Sequence, residues 1–210
     1  MKIIRRIKEW LPSDRTLILF PIIHCILYEV LIRVSIFGTW REFYCALDEK
    51  LPLVKWFMIP YVSWFFFIGF AAWYFWKTDR TQLRRYVKCL LISVIPVYFV
   101  FIFFPTCLPL RPEHMEGPGL IPFIFNFMFA VDVPHDIFPS LHVIWAAITA
   151  IALAHSERFS SREWKAALCV ITILISVSTF MVKQHSVLDT PGAVPFVLLG
   201  WYLTYTAGCA

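Results

Sequence analysis

Charge is scarce in this chain. Lys, Arg, Asp and Glu make up 16% of its 210 residues, against about a quarter in ordinary soluble domains. With 60% hydrophobic residues, 21 Phe and 9 Trp, and a mean hydropathy of +0.70, the balance points to an integral membrane protein. Clustered cysteine is also missing. Cys25, Cys45, Cys89, Cys107, Cys169 and Cys209 form no Cys-x-x-Cys pair and no Cys/His cluster, which argues against a zinc site built on thiols. Cys45 and Cys107 fall on the same expected side, so a disulfide between them is conceivable, although sequence alone does not pair them. There is no repeat, no low-complexity stretch and no sign of a second domain, so one helical bundle is the natural architecture. The apolar run at 16–37 is too long for a signal-peptide core and has no small-residue cleavage site after it, so it reads as a retained span.

Crossing the hydrocarbon takes about 20 mostly apolar residues. Segments 17–37, 56–76, 88–104, 140–154 and 166–182 qualify or nearly so, and 188–206 joins them if Pro191 and Pro195 kink its first turns. The run 119–131, "GLIPFIFNFMFAV", is short and carries Pro and Asn, which suits a re-entrant or interfacial helix. At the N-terminus Ile3, Ile4, Ile7, Trp10 and Leu11 share one helical face with Lys2, Arg5, Arg6 and Lys8 around it. That pattern fits a helix lying in the headgroup region, and also a solvated basic tail. The expected fold is therefore all-α: a six-transmembrane-helix bundle forming one domain over 1–210, with an N-terminal interfacial helix and a short re-entrant helix before the fourth span.

Basic residues orient this bundle. Lys2, Arg5, Arg6, Lys8, Arg15, Lys77, Arg80, Arg84, Arg85, Lys88, Arg158, Arg162 and Lys165 fall on one side. Only Arg41, Lys50, Lys55, Arg111 and Lys183 fall on the other. The excess of basic residues marks the cytosolic side, so both termini are expected in the cytosol and the 105–139 loop outside. Juxtamembrane placement accounts for these charges, leaving no basic surface that calls for nucleic acid.

Three distant stretches bring polar residues to the expected outer face. They are "PTCLPLRPEH" with Arg111, "FPSLHV" with Ser140 and His142, and "STFMVKQHSVLD" with Lys183, His185 and Asp189. Histidine and carboxylate at a membrane boundary are costly unless paired or used. His185 and Asp189 are four apart and share a side of a helix or tight turn. A carboxylate bonded to one imidazole nitrogen fixes the tautomer and leaves the other lone pair free to attack. His142 can give a proton to a leaving oxygen. Ser140 stands where a helix begins and free N–H groups favour an anion. Arg111 offers a planar fork for phosphate oxygens, and Lys183 a mobile positive charge. Plainer readings exist for each: an N-cap for Ser140, a structural hydrogen bond for His142, a snorkelling side chain for Lys183, and a pair of zinc ligands for His185 and Asp189. Within the first span, Glu29 and Arg33 have ion-pair spacing, and His24 suits an interhelical hydrogen bond. His135 and Asp136 are close enough in sequence to the fourth span to line the site.

"RP" at 111–112, "PSLH" at 139–142 and "HSVLD" at 185–189 resemble, in order, the three signatures of the type-2 phosphatidic acid phosphatase superfamily. The wider pattern is most similar to the branch holding inositol phosphorylceramide synthases and many bacterial lipid phosphatases, over roughly residues 85–200. The resemblance implies a six-helix membrane bundle, no metal or other cofactor, and a phosphohistidine intermediate. It makes His185 the nucleophile, Asp189 its orienting partner and His142 the general acid, with Arg111 and Ser140 holding phosphate. Three positions depart from the pattern: Phe104 stands where the first signature has Lys, Leu141 where the second has Gly, and Thr179 where the third has Arg. Lys183 is the substitute cation, by position rather than motif.

These residues lead to a membrane phosphatase whose partners are bilayer lipids and whose substrate is a lipid phosphate or diphosphate: a polyprenyl diphosphate, phosphatidic acid or phosphatidylglycerol phosphate. A phosphotransferase using a lipid or sugar hydroxyl as acceptor needs the same residues, and the short chain leaves little room for a second substrate domain. A proton-coupled carrier is the non-enzymatic reading, but the sequence has no internal symmetry and its polar groups sit at a face rather than the midplane.

Overall fold

The computed structural model describes residues 2–206, so Cys209 lies outside them. Among the described residues nine α-helices follow in order. They are α1 (Lys2–Glu9), α2 (Asp14–Leu31), α3 (Ala46–Lys50), α4 (Met58–Thr78), α5 (Arg80–Phe103), α6 (Leu120–Val131), α7 (Leu141–Ala154), α8 (Arg162–Met181) and α9 (Asp189–Tyr205). Two short strands, β1 (Arg41–Glu42) and β2 (Thr106–Cys107), pair in parallel.

Helix starts follow side-chain capping. Ser13, Ser140 and Ser161 accept from Thr16, Val143 and Trp164 N–H groups, and Asp79 accepts from Thr81 and Gln82. Each cap satisfies an N–H that the helix itself leaves orphaned. The Asp79 cap explains why α5 begins well before the expected residue 88: its first two turns are helical but polar. Arg84, on one of those turns, bonds the Pro12 carbonyl and, at 2.6 Å, the Asp14 carboxylate. At the other end of α2 the expectation of helix through 37 is corrected. The helix stops at Leu31, and the chain turns instead through Ser35, whose hydroxyl donates to the Gly38 carbonyl at 2.7 Å, with Gly38 at φ 95°.

Three helical stretches are long and apolar enough to cross a membrane: Lys55–Thr78 (α4 and the 3-10 turn before it), α5 and α8. Of the six expected spans, these three meet the length and composition of a span by themselves. α2 carries Asp14, Arg15 and Glu29 within 18 residues, α9 has 17 residues, and α7 only 14. The outward faces stay apolar. Phe65, Phe66, Phe70, Trp73 and Trp76 on α4 are all exposed, a continuous patch that a water-soluble monomer rarely shows and that is compatible with a membrane protein.

α7 is the central helix. It packs against α4, α5, α8 and α9, and ten of its fourteen residues are buried. α5 and α9 pack along much of their length, and Gly200 allows a close approach. A Cβ there would stand 2.1 Å from Ser93 Oγ and 2.8 Å from the Cys89 carbonyl, the small-residue contact typical of membrane helices. Cys45 and Cys107 are both free thiols, so the disulfide considered above is not formed.

Gly200→Ala is expected to lower stability by about 1–3 kcal/mol, the usual cost of overpacking a closed contact. Adding Ser93→Ala should recover only part of the loss, because the Cys89 carbonyl cannot move aside. Thermal unfolding in detergent reads both steps, and an unchanged melting temperature in Gly200→Ala would refute the close-contact account.

Candidate functional site

The start of α7, the end of α8 and the start of α9 meet at one end of the bundle. A tight turn over 182–188 joins α8 to α9, with Lys183 in the left-handed region at φ 60°. The Thr179 carbonyl accepts from both Gln184 N (2.9 Å) and His185 N (3.1 Å). The chain therefore doubles back and presents His185 toward α7.

His185, His142 and Asp189 come together as expected. His185 Nδ1 lies 2.9 Å from Asp189 Oδ2 and 3.0 Å from the Ile137 carbonyl. Both partners are acceptors, so Nδ1 carries the hydrogen and Nε2 carries the lone pair. That lone pair faces His142 Nδ1 at 3.2 Å, which makes His142 the donor of this bond. Asp189 is fully buried and takes a second donor, Ser186 N, at 3.0 Å. The His142 ring lies between Tyr61 and Trp64, with centroids at 4.9 and 4.7 Å. Trp64 Nε1 also donates to the His142 carbonyl at 3.0 Å, tying the first turn of α7 to α4.

The other expected residues occupy the same end in different ways. Ser140 is the buried N-cap of α7, its hydroxyl accepting from Val143 N at 3.4 Å. Arg111 donates to the Gln184 side chain at 2.9 Å, to the Phe129 carbonyl at 3.2 Å and to the Asp132 carbonyl. It thereby reaches the residue next to His185 while capping the end of α6. Lys183 is buried and bonds the Asp48 carbonyl rather than either histidine. His135 and Asp136 do not touch the histidines. His135 stacks on Trp40 at 4.1 Å and bonds the Ile32 carbonyl, and Asp136 N donates to the Thr106 carbonyl at 2.6 Å. Both hold the 105–139 loop in place. At the end of α2, Glu29 forms the expected ion pair with Arg33, which lies just past the helix and also donates to the Val131 carbonyl, while His24 within α2 bonds the Tyr98 hydroxyl. Among the described residues no three His, Cys, Asp or Glu side chains gather as metal ligands.

Two carboxylates escaped the sequence reading. Asp48, on the five-residue α3, is 3% exposed. Its Oδ2 accepts from Ser186 Oγ (2.7 Å) and Cys45 N (2.9 Å), and its Oδ1 from Val187 N (2.8 Å). Burial alone would raise this carboxyl, but the Ser186, Val187 and Cys45 hydrogen bonds outweigh it and hold the group below its usual range. Asp132, just past α6, accepts from Tyr28 (2.7 Å) and Tyr61 (2.6 Å), one at each oxygen. A carboxylate closing the apolar run "FNFMFAV" is a boundary charge of the kind that marks function, so Asp132 did carry a signal. Asp48 carried only a loop acid's local spacing.

No family model, curated protein or solved structure matches this chain.

Asp48 clamps the turn that carries His185. Asp48→Ala is expected to leave three buried donors unpaired, at about 1–3 kcal/mol for each group left unsatisfied. Hydrogen exchange should accelerate over 183–188 while α7 amides stay protected. Equal protection in both proteins would remove the clamp. Asp136 gives a pH-dependent test. Burial lifts its carboxyl from 3.8 to about 7, so the folded chain holds a proton that the unfolded chain releases. Folding is therefore penalised increasingly as pH rises from about 4 to about 7. Asp136→Asn, which stays neutral and tolerates the φ of 49°, should raise the melting temperature at pH 8 and leave it nearly unchanged at pH 4. The same gain at both pH values would rule out charge as the cause.

Proposed function

We propose that this chain is an integral membrane phosphatase acting on a lipid phosphate through a phosphohistidine on His185. The observation that carries the reading is the buried relay Asp189–His185–His142, with hydrogen bonds of 2.9 and 3.2 Å. The ordered motif resemblance supports it. Asp189 fixes the tautomer, so Nε2 of His185 is the attacking atom. His185 Nε2 forms a bond to phosphorus as the bond to the lipid oxygen breaks, and that oxygen takes the electron pair and the proton of His142. Water then attacks phosphohistidine, giving a proton back to His142, and the P–N bond breaks with its electron pair returning to His185 Nε2 as phosphate leaves. The α7 N-terminus behind Ser140 and the unused N–H groups of Arg111 and Lys183 supply donors for the phosphate oxygens. A gap of 3.2 Å holds no phosphorus, so substrate parts the two imidazoles.

The bundle belongs in a membrane as six spans, α2, α4, α5, α7, α8 and α9, with α1 at the interface, α6 re-entrant and both termini cytosolic. Fourteen residues make α7 about 21 Å long, less than the hydrocarbon thickness of about 30 Å. This shortfall is tolerable because neighbouring helices rather than lipid surround α7. Its N-terminus, and the histidines with it, then sit somewhat below the outer surface, where a lipid headgroup reaches them from the side.

Purified protein should release phosphate from short-chain phosphatidic acid in detergent with chelator present. His185→Ala should abolish release and the acid-labile, base-stable phosphoprotein with it. His142→Ala should lose about 10²–10⁴-fold on the lipid but far less on p-nitrophenyl phosphate, whose leaving group needs no proton. Full activity in His185→Ala would sink the mechanism.

A further inference from the structure

His142 lines a cleft of 370 Å³ between α2, α4, α6 and α7, and His185 does not. The two histidines therefore mark opposite sides of the reacting phosphorus, with the leaving group on the cleft side. Most of the cleft wall is apolar and aromatic, including Trp64, Phe65, Ile68 and Trp145. At about 30 Å³ for each small group, it takes roughly a dozen carbons of a hydrocarbon chain.

The charged residues of this wall share one sign. Asp132 and Glu29 line it, and no Lys or Arg does among the described residues. Neither Arg33 nor Arg111 lines the cleft. Arg33 pairs with Glu29 and donates to the Val131 carbonyl, and Arg111 is spread over two backbone carbonyls and Gln184. Asp132 has two tyrosine hydroxyls and no side-chain cation. The Tyr61 ring that bonds it also packs on His142, so the carboxylate stands close to where the leaving oxygen departs.

Two kinds of leaving group meet this wall differently. When a lipid phosphomonoester reacts, the bond from phosphorus to the lipid oxygen breaks, and the oxygen takes the electron pair and the His142 proton. A neutral alcohol then remains in the cleft. When a lipid diphosphate is attacked at its terminal phosphorus, the bridging oxygen keeps the electron pair and a lipid phosphate anion remains. That anion would be desolvated beside Asp132 with no Lys or Arg lining the cleft, an arrangement that like-charge repulsion disfavours. Nor does it need a proton, whereas an alkoxide does, and the wall provides an acid.

We propose that the cleft selects a neutral leaving group, so that the substrate class is lipid phosphomonoesters rather than lipid diphosphates, with Asp132 the specificity-determining residue. The inference rests on the lipid-phosphatase reading above. The test compares initial rates of disappearance of dodecyl phosphate and dodecyl diphosphate, matched in chain and detergent. The monophosphate should be favoured about tenfold or more in kcat/KM, and Asp132→Asn should bring the ratio toward one. Should that variant lose both activities, Glu29→Gln, which can still accept from Arg33, should lower the same ratio to a smaller degree. Equal rates or a diphosphate preference in the wild type would overturn the substrate class while leaving the phosphatase reading intact. A wild-type ratio of the expected size that neither variant moves would overturn the acidic wall as its cause. No turnover of either compound, nor of phosphatidic acid, would overturn both readings together.

Discussion

A carboxylate with no access to water has to be given donors, and the bond from His185 to Asp189 is how this bundle meets that demand at Oδ2, while Oδ1 has no hydrogen-bond partner among the described residues. Asp189 opens α9 at zero exposure and takes His185 Nδ1 and Ser186 N, both from the turn just before it. Left unpaired, such a group would cost several kcal/mol. The 182–188 turn is therefore bound to fold back on its own helix start. That turn in turn needs an outside anchor, because Ser186 and Val187 offer donors that α8 and α9 cannot satisfy. Asp48 accepts both, so the segment between α2 and α4 is drawn down over the end of the bundle. One buried charge thus sets the orientation of an imidazole, the path of a turn and, through Ser186, the position of a loop residue 138 positions before that serine in sequence.

What the sequence made legible follows from the range of each interaction. His185 and Asp189 are four apart, and Ser140 sits three before the N–H it caps, so local spacing was enough to pair them. His142 meeting His185 required the bundle, and the expectation came from where apolar runs begin and end. Asp48 has no such spacing to Ser186, and only the tertiary fold brings them together. Arg111 and Lys183 were read for their charge, and their charge is correctly placed at this end. Their hydrogen bonds to Gln184 and to the Asp48 carbonyl depend on loop geometry that carries no period. The helix boundaries failed for a related reason. Hydropathy sees the apolar middle of α5 but not its polar first turns, and it runs past Leu31 because "VSIF" is apolar without being helical.

The two sides of α7's first turn differ in kind. Toward α8 and α9 it faces the polar relay, where each group is fixed by at least one hydrogen bond to a neighbour. Toward α2 and α4 it faces an aromatic wall in which Trp64, Trp145 and His24 stand in sequence, the last two with centroids 4.9 Å apart. Polar chemistry and apolar binding are thus separated by the thickness of one helix. On the proposed reading this is what a lipid phosphate requires: a phosphate held among donors and a chain held among rings. Asp132 is the exception on the apolar side: its carboxylate accepts from Tyr28 and Tyr61, and Arg111 donates to its backbone carbonyl rather than to the carboxylate.

On the proposed reading, the contact between the two histidines decides which of them moves when a phosphate enters. His185 is held at Nδ1 by Asp189 and the Ile137 carbonyl, and turning its ring would strand a buried carboxylate. The only ring hydrogen bond described for His142 is the one to His185. Its backbone is fixed by Trp64, and apart from the bond to His185 its ring is held by tilted contacts with Tyr61 and Trp64. Aromatic contacts of this kind contribute about 0.5–1.5 kcal/mol, less than stranding Asp189 would cost. The ring that gives way to an incoming phosphate is therefore His142, and the open side available to it is the cleft it already lines. The acid would then move with the leaving group, while the nucleophile stays locked against its carboxylate.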